Sequence, residues 1–273
     1  EALAAAEQAD ELIGEVIVVP VANPIGLGQS VLREPVGRFA LHSGDNFNRG
    51  YPELAEPVRA RLVGQWGNDG AHNIALVRAA MRQHLAELRQ DAISELDALR
   101  LTLLSLACDA DVVLDLHCDF DAAVHLYLLP QQWPQLRTLA ARLQAGAALT
   151  VEDSGGNSFD EACALPWVNL ARQFPQAVVP MASLAVTVEL GGMADTGKRE
   201  AEASAESILA FLAEQGLIAA DWSAAPAESC EATPFAGAQY VYAPHAGVVS
   251  FLQPVGARVK AGDPLFEVID PLD

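Results

Sequence analysis

Asp115 and Asp119 flank His117 at a spacing of two residues in the stretch DVVLDLHCD, Asp111 to Asp119. The Val-Val-Leu run ahead of the histidine reads as a strand, 111–116, buried on both faces, so the imidazole is expected where that strand ends. Chemistry in open α/β sheets collects at the carboxyl ends of strands. A neutral imidazole there can ligate zinc while a neighbouring carboxylate fixes its tautomer. The plainer reading is a half-buried histidine satisfied by its neighbours, and a zinc site requires at least two further protein ligands.

Glu189 is a second candidate, standing after the apolar run ASLAVTVEL and just before Gly191-Gly192. An unpaired charge after such a run is costly, and the glycines are expected to leave room for substrate to approach the backbone. Asn48-Arg49, within GDNFNRGYP (44–52), is the third: the guanidinium is a planar fork for a carboxylate and the amide lies beside it. Taken locally, an Asn- and Gly-rich surface turn accounts for that pair as well. His125, inside AAVHLYLL, reads as a satisfied core residue, and nothing in sequence beside Cys118 marks an activated thiolate.

The elements that must position these residues follow from periodicity. Residues 1–13 are expected to be an Ala-rich helix and 15–21 (EVIVVPV) a buried strand, broken at Asn23-Pro24. A Gly-rich loop over 25–30 leads into a long irregular passage, 31–52, of the length that usually carries function. Helical spacing dominates 57–107, with helices over 71–89 and 92–107. Strands are expected at 122–129, 149–151 and 182–190, and helices at 133–145, 159–173 (interrupted at Pro166) and 199–215. Strands and helices interleave, so the class is α/β, a mixed sheet flanked by helices. The Ala-, Ser- and Pro-rich stretch 219–237 reads as a linker or edge strand, and 238–273 as a small β module punctuated by Pro and Gly. The expected organisation is therefore a catalytic domain over 1–218, that linker, and the small module.

Composition bounds the partners. With 273 residues, 51% hydrophobic, the chain can bury a core of roughly 200 residues plus a small unit. No apolar run approaches a membrane span and no basic leader opens the chain, so it reads as soluble and cytoplasmic. A net charge of −20 argues against nucleic acid or an anionic membrane as partner, and an anionic substrate then depends on a few local arginines. Four cysteines without CxxC spacing, Cys108, Cys118, Cys163 and Cys230, read as reduced intracellular thiols.

The order Asn23-Pro24, GDNFNRGYP, DLHCD followed by a strand, TVELGG, and the tail APHAGVV to VGARVKAGDPLFEVID resembles the succinylglutamate desuccinylase and aspartoacylase family, zinc hydrolases of carboxypeptidase-like fold. The resemblance covers nearly the whole chain. It implies that His117 is the third zinc ligand, that Asn48 and Arg49 grip the substrate carboxylate, and that Glu189 is the general base. One motif departs: the family's HGxE, which supplies the other histidine and the glutamate of the zinc site, is not in this sequence. The opening EALAAAEQAD matches the helix that follows HGxE, so those ligands are expected in a segment ahead of Glu1; the alternative is a protein that binds zinc weakly or not at all. The tail resembles the half-barrel of biotinyl and lipoyl carrier domains without their Met-Lys turn, since Lys260 lies in VKAGD, and it is expected to be a packing module that helps cover the mouth of the site.

The expectation is a zinc-dependent amidohydrolase cleaving an N-acyl amino acid or similar small, carboxylate-bearing amide. A non-catalytic ligand-binding relative and a metallocarboxypeptidase acting on peptides are the alternatives. The partner is a small-molecule substrate, and nothing in the sequence excludes a homo-oligomer.

Overall fold

The computed structural model describes residues 2–220 and 222–272. Glu1, where the expected first helix begins, and Asp221, in the expected linker, lie outside the described residues, as does Asp273.

Eight α-helices and nine strands follow one another among the described residues. The helices are α1 (Ala2–Gln8), α2 (Pro24–Leu27), α3 (Ala55–Arg61), α4 (Gly70–Gln90), α5 (Glu95–Ala107), α6 (Trp133–Arg142), α7 (Phe159–Gln173) and α8 (Lys198–Glu214). The strands are β1 (Ser30–Val31), β2 (Glu34–Pro35), β3 (Val112–Asp119), β4 (His125–Leu128), β5 (Ala147–Thr150), β6 (Leu184–Gly192), β7 (Ala232–Pro234), β8 (Val248–Phe251) and β9 (Phe266–Ile269). Five of them form the central sheet in the order β3-β6-β4-β5-β7; β4 runs antiparallel to β6, and the other neighbours pair in parallel. This is the mixed, helix-flanked α/β sheet expected from the alternating pattern.

Helices cover both faces. On β6, Ala185 faces one way, into a cluster built with Val58, Val77, Met81, Leu104 and Trp167 of α3, α4, α5 and α7. Val186 and Val188 face into the opposite cluster, with Leu136 and Leu139 of α6 and Phe211 of α8. The period of two along the strand therefore sends Thr187 and Glu189 to the Ala185 side. Local chemistry starts the helices: Asp69 accepts the Ala71 N–H at 3.0 Å to open α4, and Ser94 and Asp97 form a reciprocal capping box on α5.

Four expectations change. The first helix stops at Gln8. Residues 15–21 form no strand: Ile17, Val18, Val19 and Val21 are exposed, and a run apolar on both sides needs ladder partners that the described residues do not supply. α7 continues through Pro166, because its burial around Ala162, Ala164, Trp167 and Leu170 compensates for the hydrogen bond that proline cannot donate. β3 extends to Asp119, so His117 lies inside the strand, next to a register irregularity between His117 and Asp119. Of the two readings of 219–237, the edge strand is realised as β7. The C-terminal module consists of one antiparallel pair, β8 with β9. No helix of the described residues is long and apolar enough to cross a membrane.

Candidate functional site

On β3, Asp115 and His117 are two residues apart and share a face. His117 Nε2 lies 2.8 Å from Asp115 Oδ2, which leaves Nδ1 as the ring nitrogen turned away from that carboxylate. Burial opposes protonation of the ring, but the hydrogen bond and charge of Asp115, with Glu189 and Asp160 further off, carry its pKa above the ordinary 6.5. Asp119 takes no part in this pair; its carboxylate accepts the Phe120 N–H at 2.7 Å.

Glu189 stands in register with His117 on the neighbouring strand, and with His125 on its other side. Its Oε2 is buried and has no hydrogen-bond partner among the described residues. Burial raises its pKa above the usual carboxylate range; His117 and His125 pull it back, while Asp119 and Asp115 add to the rise. His125 itself is buried, with Nδ1 2.9 Å from the Ala123 carbonyl, as a core histidine should be. The two glycines that follow leave less room than their type implied. Gly191 has φ +104° and a Cβ there would meet the Asp195 carboxylate, while one at Gly192 would meet the backbone of Phe120 and Asp121 at 3.1 Å. The space is filled by the chain's own turn, so the pair serves close backbone packing.

The loop 44–52 comes to the same end of the sheet. Asn46 Oδ1 accepts the Asn48 N–H at 2.9 Å, a local turn that asparagine favours. Asn48 ties its loop to two elements, α7 and β3: Oδ1 accepts the Phe159 N–H at the start of α7 (2.9 Å), and Nδ2 lies 3.5 Å from Asp115 Oδ2 and 3.4 Å from His117 Nε2. Arg49 Nη1 donates to the Asn48 carbonyl at 2.6 Å. The structure thus brings Asn48, His117 and Glu189 into one neighbourhood, with Arg49 anchored beside Asn48.

Three residues of this neighbourhood were not singled out from sequence. Asp160 is buried behind the His117–Asp115 pair, accepting from Ser158 Oγ at 2.6 Å. Burial raises its carboxyl to about 6, against the Ser158 hydrogen bond and with help from Asp115 and Glu161. Arg100 donates Nη2 to the Asn46 carbonyl at 3.0 Å and lies over Gly50. Gly156 packs against the stem of Arg49. A two-glycine turn was the only sequence signal for the last of these, and the other two had none. Burial works against two of the thiols: Cys108 is pushed up to about 11 by burial and by Asp109, and Cys163 rises well above its ordinary value through burial first and then Asp160.

As for a metal, His117 offers one nitrogen and Glu189 one unpartnered buried oxygen. Among the described residues, no group of three or more His, Cys, Asp or Glu side chains is disposed to hold an ion. These residues therefore fit part of a zinc site.

The family model for the succinylglutamate desuccinylase/aspartoacylase catalytic domain matches residues 1–215. Two crystal structures of proteins assigned to this family are similar over most of the chain. One, from Shewanella amazonensis SB2B, is 28% identical with a TM-score of 0.84 and covers 99% of this chain and 74% of its own. The other, from Shewanella frigidimarina NCIMB 400, is 25% identical with a TM-score of 0.80 and covers 92% and 68%. The product-bound ectoine utilization protein EutE (DoeB) of Ruegeria pomeroyi, 16% identical with a TM-score of 0.58, shares the fold. No curated protein matches the chain. On the family match, 1–215 of 273 residues, the chain belongs to the succinylglutamate desuccinylase/aspartoacylase family.

Proposed function

We propose that the protein is a zinc-dependent deacylase that hydrolyses the amide of an N-acyl amino acid, with Glu189 as general base, His117 as a metal ligand, and Asn48 and Arg49 binding the substrate carboxylate. The observation that carries this reading is the buried, unpartnered Oε2 of Glu189 in register with the Asp115-oriented ring of His117. A buried carboxylate oxygen without a donor costs free energy unless a ligand or a proton is to meet it. Zinc, when bound, supplies Lewis acidity toward the scissile carbonyl and makes a water easier to ionise. The chain's own part is to hold His117 in one tautomer through Asp115, to accept the water's proton at Glu189, and to hold the substrate carboxylate at the Arg49 fork. The raised pKa of Glu189 suits it to pass that proton on to the leaving amine.

The C-terminal module, expected from its sequence to pack over the site, forms one antiparallel pair, β8 with β9. Its residues 256–258 line a groove opposite Ala123, Val124 and His125, next to the Glu189 strand, which supports a covering role. Lys260 opens a turn in which its N–H donates to Asp263 Oδ2 at 2.7 Å.

The test is Glu189→Gln, which keeps shape and leaves His117 alone. Zinc content should hold while kcat for N-succinyl-L-glutamate or N-acetyl-L-aspartate falls by about 10²–10⁴-fold. Retained turnover with a lowered melting temperature would make Glu189 a scaffold residue. A second reading, a ligand-binding relative without catalysis, is favoured by the lack of a three-donor group among the described residues. Elemental analysis of the protein separates the two: near one zinc per chain, lost in His117→Ala, supports the enzyme.

A further inference from the structure

We infer that Gly156, the second glycine of the turn Asp153–Asn157, is a positioning residue that aims Arg49 and thereby sets affinity for the substrate's carboxylate; this rests on the reading of Arg49 given above. Gly155, Gly156 and Asn157 all have left-handed backbone, with φ of +89°, +84° and +50°. Only one of the two glycines also meets the arginine. A Cβ at Gly156 would lie 3.0 Å from Arg49 Cδ, 3.6 Å from Cγ and 3.7 Å from Nε, whereas a Cβ at Gly155 would meet nothing within 4 Å. The bare Cα of Gly156 is therefore the surface on which the stem of Arg49 lies.

The two loops are fastened on either side of that contact. The Gly156 carbonyl accepts the Gly50 N–H at 2.6 Å, the Asn157 carbonyl accepts the Tyr51 N–H at 3.2 Å, and Asn157 Nδ2 donates to the Tyr51 carbonyl at 2.8 Å. The turn is itself held: Asp153 Oδ1 accepts the Gly155 N–H at 2.8 Å, and the buried Glu161 accepts the Ser154 N–H at 2.6 Å. Backbone held on both sides cannot yield to an added methyl group, but a long arginine stem can. The stem moves and the guanidinium goes with it. Among the described residues Arg49 forms no ion pair, so its fork is not committed to a carboxylate of the protein. Two-point recognition of a carboxylate is sensitive to the fork's aim, and a misplacement of about 1 Å can cost on the order of 10²-fold.

The paired glycines provide their own control. Gly155→Ala and Gly156→Ala place the same residue in the same strained backbone, so both should lower the melting temperature by similar amounts. With N-succinyl-L-glutamate and N-acetyl-L-aspartate as probes, keeping whichever is hydrolysed faster, Gly156→Ala should raise KM by about 10-fold or more with kcat within about two-fold. Gly155→Ala should leave KM within about two-fold of wild type. In an Arg49→Ala background, Gly156→Ala should add nothing further to KM. If Gly156→Ala does not fold, Gly156→Asn carries the same Cβ on a residue that tolerates left-handed backbone, and the same KM rise is expected. Equal KM changes from the two glycine variants, or a rise that persists without the Arg49 side chain, would overturn the role of Gly156 alone. An unchanged KM in Arg49→Ala, or no hydrolysis of either probe by the wild type, would overturn the carboxylate clamp and the Gly156 role with it.

Discussion

Asp115 determines which nitrogen of His117 is free, because its carboxylate already holds Nε2 at 2.8 Å. Partners of this kind typically change metal affinity 10–100-fold, so Asp115→Asn should weaken zinc binding by about that factor in a chelator competition, with the fold retained. Equal affinity would mean that the ring is oriented by packing and Asn48 instead. Asp160 lends itself to a pH experiment on the metal-free protein. Its carboxyl is raised from an ordinary 3.8 to about 6, so the sign runs against the usual carboxylate: the stability is present below about pH 4 and is lost as pH rises through 6. A rise of about two pH units corresponds to about 3 kcal/mol. Asp160→Asn, neutral throughout, should gain on the wild type between pH 4 and 7 in denaturant melts; a difference that stays constant with pH would refute the buried ionisation. At this scale sequence reached His117, Glu189, Asn48 and Arg49, because each belongs to a short motif. It reached Asp160 and Arg100 not at all, since their relevance comes from which helix lies against the sheet. It could have chosen Asp115 over Asp119, both two residues from His117, only by seeing the irregularity that turns Asp119 aside.

The elements that carry the site are those whose patterns were plainest. β6 alternates and is buried on both faces, and its extent, Leu184–Gly192, differs from the expected 182–190 by two residues at each end. α4 and α5 follow their caps and apolar spacing closely. The failures have a common cause in partners. Residues 15–21 have the composition of a central strand, yet strand formation depends on neighbours to complete the ladder, and composition says nothing of whether neighbours exist. Pro166 reads as an interruption because local propensity penalises it; α7 continues because Trp167 and Leu170 are packed into the larger cluster, and tertiary burial outweighs a single missing bond. The functional loops are the least legible of all. The turn 153–157 and the loop 44–52 lie about a hundred residues apart in sequence, and only the folded sheet brings Gly156 under Arg49.

At the scale of the whole molecule, a net charge of −20 surrounds a site proposed to bind an anion, so recognition has to be local, and Arg49 and Arg100 are two cations that the fold brings to that end of the sheet. Mass and stability are also unevenly distributed. Among the described residues, neither large core cluster includes one beyond Cys230, while Tyr242, Phe251 and Leu252 of the C-terminal module are exposed. Two four-residue strands, with Phe251 and Phe266 meeting edge to face at 6.3 Å, make a unit that is marginal by itself. A chain ending after Ala238 keeps β7 and both clusters, so it should unfold cooperatively within about 2 °C of the intact protein. If the module covers the site, the same truncation should alter KM for an N-acyl amino acid while Tm stays put, because groups near Glu189 gain access to water without losing any core contact. A large fall in Tm would instead make the module part of the folding unit, held to the sheet along the groove between Gly256–Arg258 and Ala123–His125.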